Sequence, residues 1–182
     1  MINKLSVLLL LVLFSISCSE GDIIDISVDL NGDLQHCSNE NDNTFVFFTI
    51  ESETNRSLSV NFSSSSFIIT PTTVADISIT EPTIITLNTT SNQFLYREFD
   101  TMINGSEYFC SSIPPSNVNV TQELVSSNGT AEITYVLTDD TSPTETIYAR
   151  TVTLKGVTLE GNGIAIRREI LELGSDNISI PK

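Results

Sequence analysis

Apolar and polar residues alternate with a period of two along most of the chain that follows residue 23. In residues 24–30, isoleucine, valine and leucine are separated by aspartate and serine, and an Asn-Gly pair follows. Similar alternation recurs in residues 58–62, 131–137 and 146–159. Successive side chains of a strand point to opposite faces, so this period predicts half-buried β-strands.

Shorter apolar runs, rich in β-branched and aromatic residues, predict further strands. Their sequences are TFVFFTIE (44–51), PTIITLNT (82–89), QFLYREF (93–99), YFC (108–110) and IAIRREILEL (164–173). No segment combines a helical period with capping residues. About ten short strands separated by polar turns are typical of an all-β protein, and we expect an antiparallel two-sheet sandwich, immunoglobulin-like or related.

Turn sequences divide the last third of the chain at regular intervals. They are SSNG (126–129), DDTSPTE (139–145) and EGNG (160–163), and each contains glycine, proline or asparagine next to polar residues. Such clusters mark turns between strands. Because each strand runs directly into a turn, we predict a C-terminal antiparallel meander of four strands.

The N-terminal segment has a different pattern. Lys4 precedes an apolar run that occupies residues 5–16. A membrane-spanning helix needs about 20 apolar residues, so this run is too short to span. A charged start followed by a short apolar core is typical of a signal peptide, which we assign to residues 1–17.

Ser15-Ile16-Ser17-Cys18 resembles a bacterial lipoprotein box. In that family the cysteine sulfur receives a diacylglyceryl group, the signal is cut before it, and the new amino group is acylated. Ser17 matches the small residue before the cut, whereas Ser15 stands where leucine is usual; looser boxes are common in lipoproteins of Bacteroidota. The resemblance implies lipidation of Cys18 and attachment to the bacterial outer membrane, with residues 18–23 as a short tether.

The cysteine count is consistent with this assignment. The chain has three cysteines, Cys18, Cys37 and Cys110. An exported chain with an odd number of cysteines leaves one thiol unpaired, and a lipid on Cys18 would account for it. We therefore predict a disulfide between Cys37 and Cys110, within one domain that spans residues 24–182.

The charge balance excludes one class of partner. The chain has 23 acidic residues against 8 lysines and arginines, which gives a net charge of −15 at pH 7. Nucleic-acid binding needs clustered cations, so we expect no nucleic-acid partner. We interpret the acidic excess as a solvated surface. The expected partner is the membrane, through the lipid on Cys18; the sequence identifies no protein or glycan partner.

Residues 29–40 partly match the spacing of a calcium-binding loop. Asp29, Asn31, Asp33 and Glu40 fall at positions 1, 3, 5 and 12 of the EF-hand spacing. Position 6 requires glycine for a sharp turn, but Leu34 stands there. The flanking segments are predicted strands, whereas an EF-hand loop is flanked by helices. These four residues are therefore a weak calcium candidate, and we favour a simple Asn-Gly turn. We expect no resident metal or cofactor.

No catalytic residue is assigned from the sequence. His36 is the only histidine, and no G-x-S-x-G pattern accompanies it, so a Ser-His-Asp triad lacks support. A hydrolase that uses two carboxylates is a second hypothesis, since the chain is rich in acids. Asp139-Asp140 lies in a turn and reads as solvated. A third hypothesis is an inhibitor or partner of a secreted protein that uses the 139–145 loop.

The stretch YFCSSIPPSNVNVTQE (108–123) carries a wider resemblance. Together with the box at Cys18, the acidic GDIID start (21–25) and the Cys37 spacing, it is similar to small uncharacterised lipoproteins of flavobacteria. The acidic residues soon after Cys18 are also similar to surface-export signals of that phylum. The resemblance implies no known enzyme activity. The leading hypothesis is a non-enzymatic, lipid-anchored binding or structural module of the envelope.

Overall fold

The computed structural model describes residues 30, 32–39, 44–51, 55–63 and 71–182. The signal peptide, lipid attachment at Cys18 and most of the predicted strand 24–30 lie outside the described residues. Three members of the calcium candidate, Asp29, Asn31 and Glu40, lie outside them as well.

Nine β-strands make up most of the described chain. They are β1 (Gln35–Asn39), β2 (Thr44–Glu51), β3 (Arg56–Ser63), β4 (Thr83–Thr86), β5 (Gln93–Phe99), β6 (Val120–Ser126), β7 (Thr130–Asp139), β8 (Glu145–Gly161) and β9 (Ile164–Pro181). A short helix α1 (Gly105–Phe109) and a 3₁₀ turn (Val74–Asp76) complete the described elements. The all-β prediction is confirmed, and β2 and β5 coincide with the predicted runs 44–51 and 93–99.

The nine strands belong to one antiparallel hydrogen-bonded sheet. Their order is β1-β2-β3-β5-β6-β8-β7-β4, and β9 is a further partner of β8. The length of β8 makes this possible, because it pairs with β9 along its whole length, with β7 through residues 147–155, and with β6 at residues 159–160. Since the strands form one continuous sheet, the expected two-sheet, immunoglobulin-like sandwich is not confirmed.

One hydrophobic cluster joins the two ends of this strand order. Phe47 of β2 and Leu58 of β3 share the cluster with Leu154 of β8 and Leu173 of β9. Each of these side chains is at most 1% exposed. Because β2 and β9 are far apart in the order, the sheet bends so that both halves pack on one core. Burial of this apolar surface is the main force that holds the bent sheet together.

The predicted C-terminal meander is shorter than expected. Strands β7, β8 and β9 pair in sequence as antiparallel neighbours. The turn between β8 and β9 contains Asn162 at φ 53° and Gly163 at φ 78°, which are the left-handed conformations that favour asparagine and glycine in tight hairpins. Strand β6 does not pair with β7 but with β5 and the end of β8. The meander therefore has three strands instead of four.

The prediction of a strand at Tyr108-Phe109-Cys110 is wrong. Tyr108 and Phe109 belong to helix α1, and Cys110 caps its C-terminus. Asn104 caps the N-terminus of the helix, and its side chain accepts a hydrogen bond from the backbone N–H of Glu107 at 3.2 Å. Three apolar residues in a row are too few to distinguish a strand from a helical turn. Packing then decides, because the Phe109 ring stacks on Phe48 with centroids 4.4 Å apart.

The predicted disulfide between Cys37 and Cys110 is present, with Cα atoms 5.3 Å apart. It ties the edge strand β1 to the end of α1, across a sequence separation of 73 residues. Cys110 itself is exposed. The disulfide therefore attaches the exposed segment that follows α1 to the sheet, at a place where few buried side chains hold it.

Replacing both Cys37 and Cys110 with alanine should lower the free energy of unfolding by about 4 kcal/mol, because the unfolded chain is no longer constrained by a long covalent loop. Urea denaturation in non-reducing buffer measures this difference. The Cys18→Ser variant is the matched control and should unfold like the unmodified chain. Equal stability of the double-alanine variant and this control would contradict the prediction.

Candidate functional site

The most deeply buried charge among the described residues is the guanidinium of Arg150, whose side chain is 0% exposed. Its Nε donates a hydrogen bond to Asp176 Oδ1 at 2.9 Å, and its Nη2 donates to Asp176 Oδ2. Arg150 and Asp176 are register partners on β8 and β9. The guanidinium carbon also lies 4.6 Å from the centre of the Phe47 ring, a cation–π contact with β2.

His36 of β1 completes this group of residues. Its Nδ1 lies 3.2 Å from Arg150 Nη2 and 3.3 Å from Asp176 Oδ2. A neutral ring with its lone pair at Nδ1 accepts from Arg150, whereas a protonated ring donates to Asp176. We call His36, Phe47, Arg150 and Asp176 the Arg150 cluster. In the described part of the chain no serine hydroxyl hydrogen-bonds to His36, so a Ser-His-Asp triad is not assembled.

The electrostatics of the Arg150 cluster favour an ionised Asp176. Burial raises the pKa of this carboxyl, but the hydrogen bonds from His36 and Arg150, together with the positive charge of Arg150, outweigh burial and hold the pKa below its usual range. Burial raises the pKa of the neighbouring Tyr135 hydroxyl. Arg150 and Asp176 therefore form an ion pair between β8 and β9, which His36 extends to β1. We interpret the Arg150 cluster as a structural contact between these strands.

A pocket lies on the opposite face of the sheet, beside the disulfide. Its floor is a row of four side chains that are register partners across β1, β2, β3 and β5: Cys37, Val46, Asn61 and Gln93. Core residues flank three of these positions in sequence, for example Val60 and Phe62 around Asn61. Because adjacent residues point to opposite faces, the whole row points away from the core.

The walls of this pocket are formed by Thr90 and Ser91, between β4 and β5, and by Ser111 and Ser112, which follow α1. The pocket has a volume of 350 Å³. We call it the disulfide pocket. Its lining residues are Cys37, Thr44, Phe45, Val46, Asn61, Phe62, Thr90, Ser91, Gln93, Phe109, Cys110, Ser111 and Ser112. None of these side chains is ionisable, since both cysteines are oxidised. The polar groups that face the pocket are hydroxyls and carboxamides.

The wall formed by Thr90 and Ser91 is held by a local hydrogen-bond network. The Asn88 side chain accepts from the backbone N–H groups of Thr90 at 2.8 Å and Ser91 at 2.7 Å. Asn92, at 9% exposure, donates to the Thr86 carbonyl at 3.2 Å. Asparagine side chains commonly fix turns in this way. The wall is therefore preformed.

The floor offers an unused hydrogen-bonding group. The Asn61 carboxamide makes no hydrogen bond to the described part of the chain. The Gln93 amide donates to the Thr89 carbonyl, and this leaves its side-chain oxygen available. A carboxamide supplies both donors and an acceptor. A ligand in the pocket can therefore both donate to and accept from the floor.

No acidic residue of the described ranges lines this pocket. Among the described pockets, one open groove is lined by two carboxylates, Asp33 and Glu172. Both are exposed, whereas carboxyl catalysis depends on burial that raises the pKa of one member. Asp140 pairs with Lys182 at 2.8 Å, and Asp139 accepts from Thr141, so both belong to a structured turn.

The calcium candidate gains no support among the described residues, where no group of three acidic, histidine or cysteine side chains could hold a metal ion. Its one described member, Asp33, is exposed. No helix in the described ranges is long and apolar enough to cross a membrane.

Comparison of the chain with protein-family models, with curated proteins and with solved structures finds no match. Function is therefore inferred from the residues and geometry of this chain.

The sequence analysis missed both sites, although each leaves a signal. Arg150 occupies a core-facing position in the alternation of β8, between the buried residues Tyr148 and Val152. A charge at such a position indicates a buried ion pair. Asn61 lies in the middle of β3, where asparagine is disfavoured unless its carboxamide has a use.

Asp176→Asn should lower the free energy of unfolding at neutral pH by about 3–5 kcal/mol, because it leaves the buried guanidinium without a counter-charge. Adding Arg150→Met to this variant should recover part of the loss. Urea denaturation measures both variants. Glu172→Gln, an exposed change on the same strand, is the control and should alter stability by less than about 0.5 kcal/mol.

The effect of Asp176→Asn should also depend on pH. The pKa of Asp176 is lower in the folded protein than in the unfolded chain, so its contribution to stability is present above about pH 4. It is lost as pH falls through the folded pKa. The stability difference between the unmodified protein and Asp176→Asn should therefore shrink below about pH 4. A difference that stays constant on acidification would contradict this.

Proposed function

We propose that the protein is a lipid-anchored envelope protein that acts as a non-enzymatic binding module, with a small ligand held in the disulfide pocket. The observation that carries this proposal is the row of side chains at Cys37, Val46, Asn61 and Gln93, which spans four paired strands. A concave site on a hydrogen-bonded sheet is preformed, and mixed apolar and polar linings are typical of small-molecule sites.

The chemistry of the lining supports binding over catalysis. Ser91, Ser111 and Ser112 line the pocket, and the described lining residues include no histidine or carboxylate. A serine hydroxyl is a weak nucleophile until a neighbouring base removes its proton. The hydroxyls of Ser91 and Ser111 already bond to the Asn88 side chain and to the Ile113 backbone, whereas the Ser112 hydroxyl can serve as a hydrogen-bond partner for a ligand.

Support for the membrane anchor comes from the sequence. The apolar run 5–16, the box that ends at Cys18 and the even pair of remaining cysteines all agree with it. More than one acyl chain on Cys18 would provide stable attachment, because a single chain gives marginal binding. The binding module would then act at the surface of the outer membrane.

Metabolic labelling with a fatty-acid probe tests the anchor. The unmodified protein should incorporate the probe and fractionate with membranes, and Cys18→Ser should lose both properties because the acceptor sulfur is gone. The Cys37→Ala, Cys110→Ala variant is the matched control and should still be labelled. An unlabelled native protein would contradict the anchor without bearing on the pocket.

A fragment screen by NMR tests the pocket. Small polar fragments should shift the backbone amide signals of Val46, Asn61 and Gln93 in the detergent-extracted protein. Asn61→Trp should abolish these shifts because the indole fills the floor, while Asn177→Trp, on an exposed part of β9, should leave them unchanged. Fragments that shift only residues around Asp33 and Glu172 would contradict the proposal and favour the hydrolase hypothesis.

A further inference from the structure

We infer that the disulfide pocket takes a neutral, hydroxyl-rich ligand, namely one or two units of an uncharged saccharide. This inference rests on the proposed function, since it names the ligand class of the same site.

Charge restricts the ligand first. Among the described residues that line the pocket, no side chain is ionisable. A charged ligand would lose hydration on entry without gaining a counter-charge, which is costly. The net charge of −15 also opposes the approach of anions. Neutral ligands avoid both penalties.

Hydrogen bonding restricts the ligand further. Asn61 and Gln93 are register partners on β3 and β5, so their carboxamides lie side by side on the floor. The Asn61 carboxamide is unused within the described chain, and the Gln93 oxygen can still accept. Thr44 and Ser112 add hydroxyls at the rim. A ligand with many hydroxyls, each able to donate and accept, matches this set better than a ligand with donors or acceptors alone.

The pocket also offers apolar surface to the C–H groups of a sugar ring. Val46 belongs to the floor, and Phe109 borders it next to the disulfide. One face of the Phe109 ring is stacked on Phe48, which fixes its position. The C–H groups of a pyranose gain from contact with such apolar surface. The arrangement therefore offers polar groups and an apolar patch side by side.

The pocket volume limits the length of the ligand. At 350 Å³ it lies at the small end of the range of about 300–1,000 Å³ that is usual for ligand pockets. This is room for one or two rings and not for a longer chain. The protein has no tryptophan, so no indole ring is available to stack on the sugar. We therefore expect weak binding, with a dissociation constant on the order of 1 mM.

Saturation-transfer NMR and titration of the detergent-extracted protein test the inference. The probes are glucose, galactose, mannose, N-acetylglucosamine and their disaccharides, each compared with glucuronic acid and glucosamine. At least one neutral sugar should bind, and the charged sugars should bind about tenfold more weakly or not at all. Asn61→Leu keeps the number and branching of the side-chain heavy atoms and should weaken binding about tenfold, with an unchanged melting temperature.

The outcomes separate this inference from the proposed function. Asn177→Leu, outside the pocket, should bind the same sugar with unchanged affinity. Fragments that bind the pocket when no neutral sugar does would overturn the ligand class and leave the binding module standing. Equal binding of charged and neutral sugars, or full affinity in Asn61→Leu, would also overturn the inference. If neither fragments nor sugars bind, both proposals fail.

Discussion

A guanidinium that has no contact with water must be neutralised and hydrogen-bonded inside the protein. Arg150 of β8 is in this position, and Asp176 is its register partner on β9. The pair therefore fixes the alignment of the two longest strands. The same guanidinium packs on Phe47 and meets His36, so strands from the far end of the sheet order are brought against β8. The cluster therefore adds polar contacts between the two halves of the bent sheet, beside the apolar core that they share.

The Arg150 cluster and the disulfide pocket share the strand β1, because His36 and Cys37 are adjacent on it. Their side chains point to opposite faces of the strand. His36 joins the buried ion pair on one face, while Cys37 forms the disulfide with Cys110 on the other. The edge strand is thus held from both sides. Cys110 in turn places Ser111 and Ser112 at the rim of the disulfide pocket.

Sequence reasoning succeeded where the information is local. Apolar runs located β2, β5 and β9, and alternation located β3, β7 and β8. Cysteine parity identified the pair of Cys37 and Cys110. Sequence reasoning failed at α1, where a cap at Asn104 and the Phe48 contact decide the conformation of three apolar residues. It also missed the pocket floor. That row joins residues from four separate strands, and no local pattern encodes the register that aligns them.

The floor and the wall of the pocket are held by different forces, and this affects how each can change. Asn61 and Gln93 stand on strands whose neighbouring residues fill the core, so their backbone positions are fixed by the fold. Ser111 and Ser112 are exposed and follow the disulfide, so they contribute little to core packing. Substitutions in this wall should therefore cost little stability, since exposed positions tolerate change. The fold thus fixes the two carboxamides of the floor, whereas the disulfide-bonded connection is the side of the pocket that tolerates substitution.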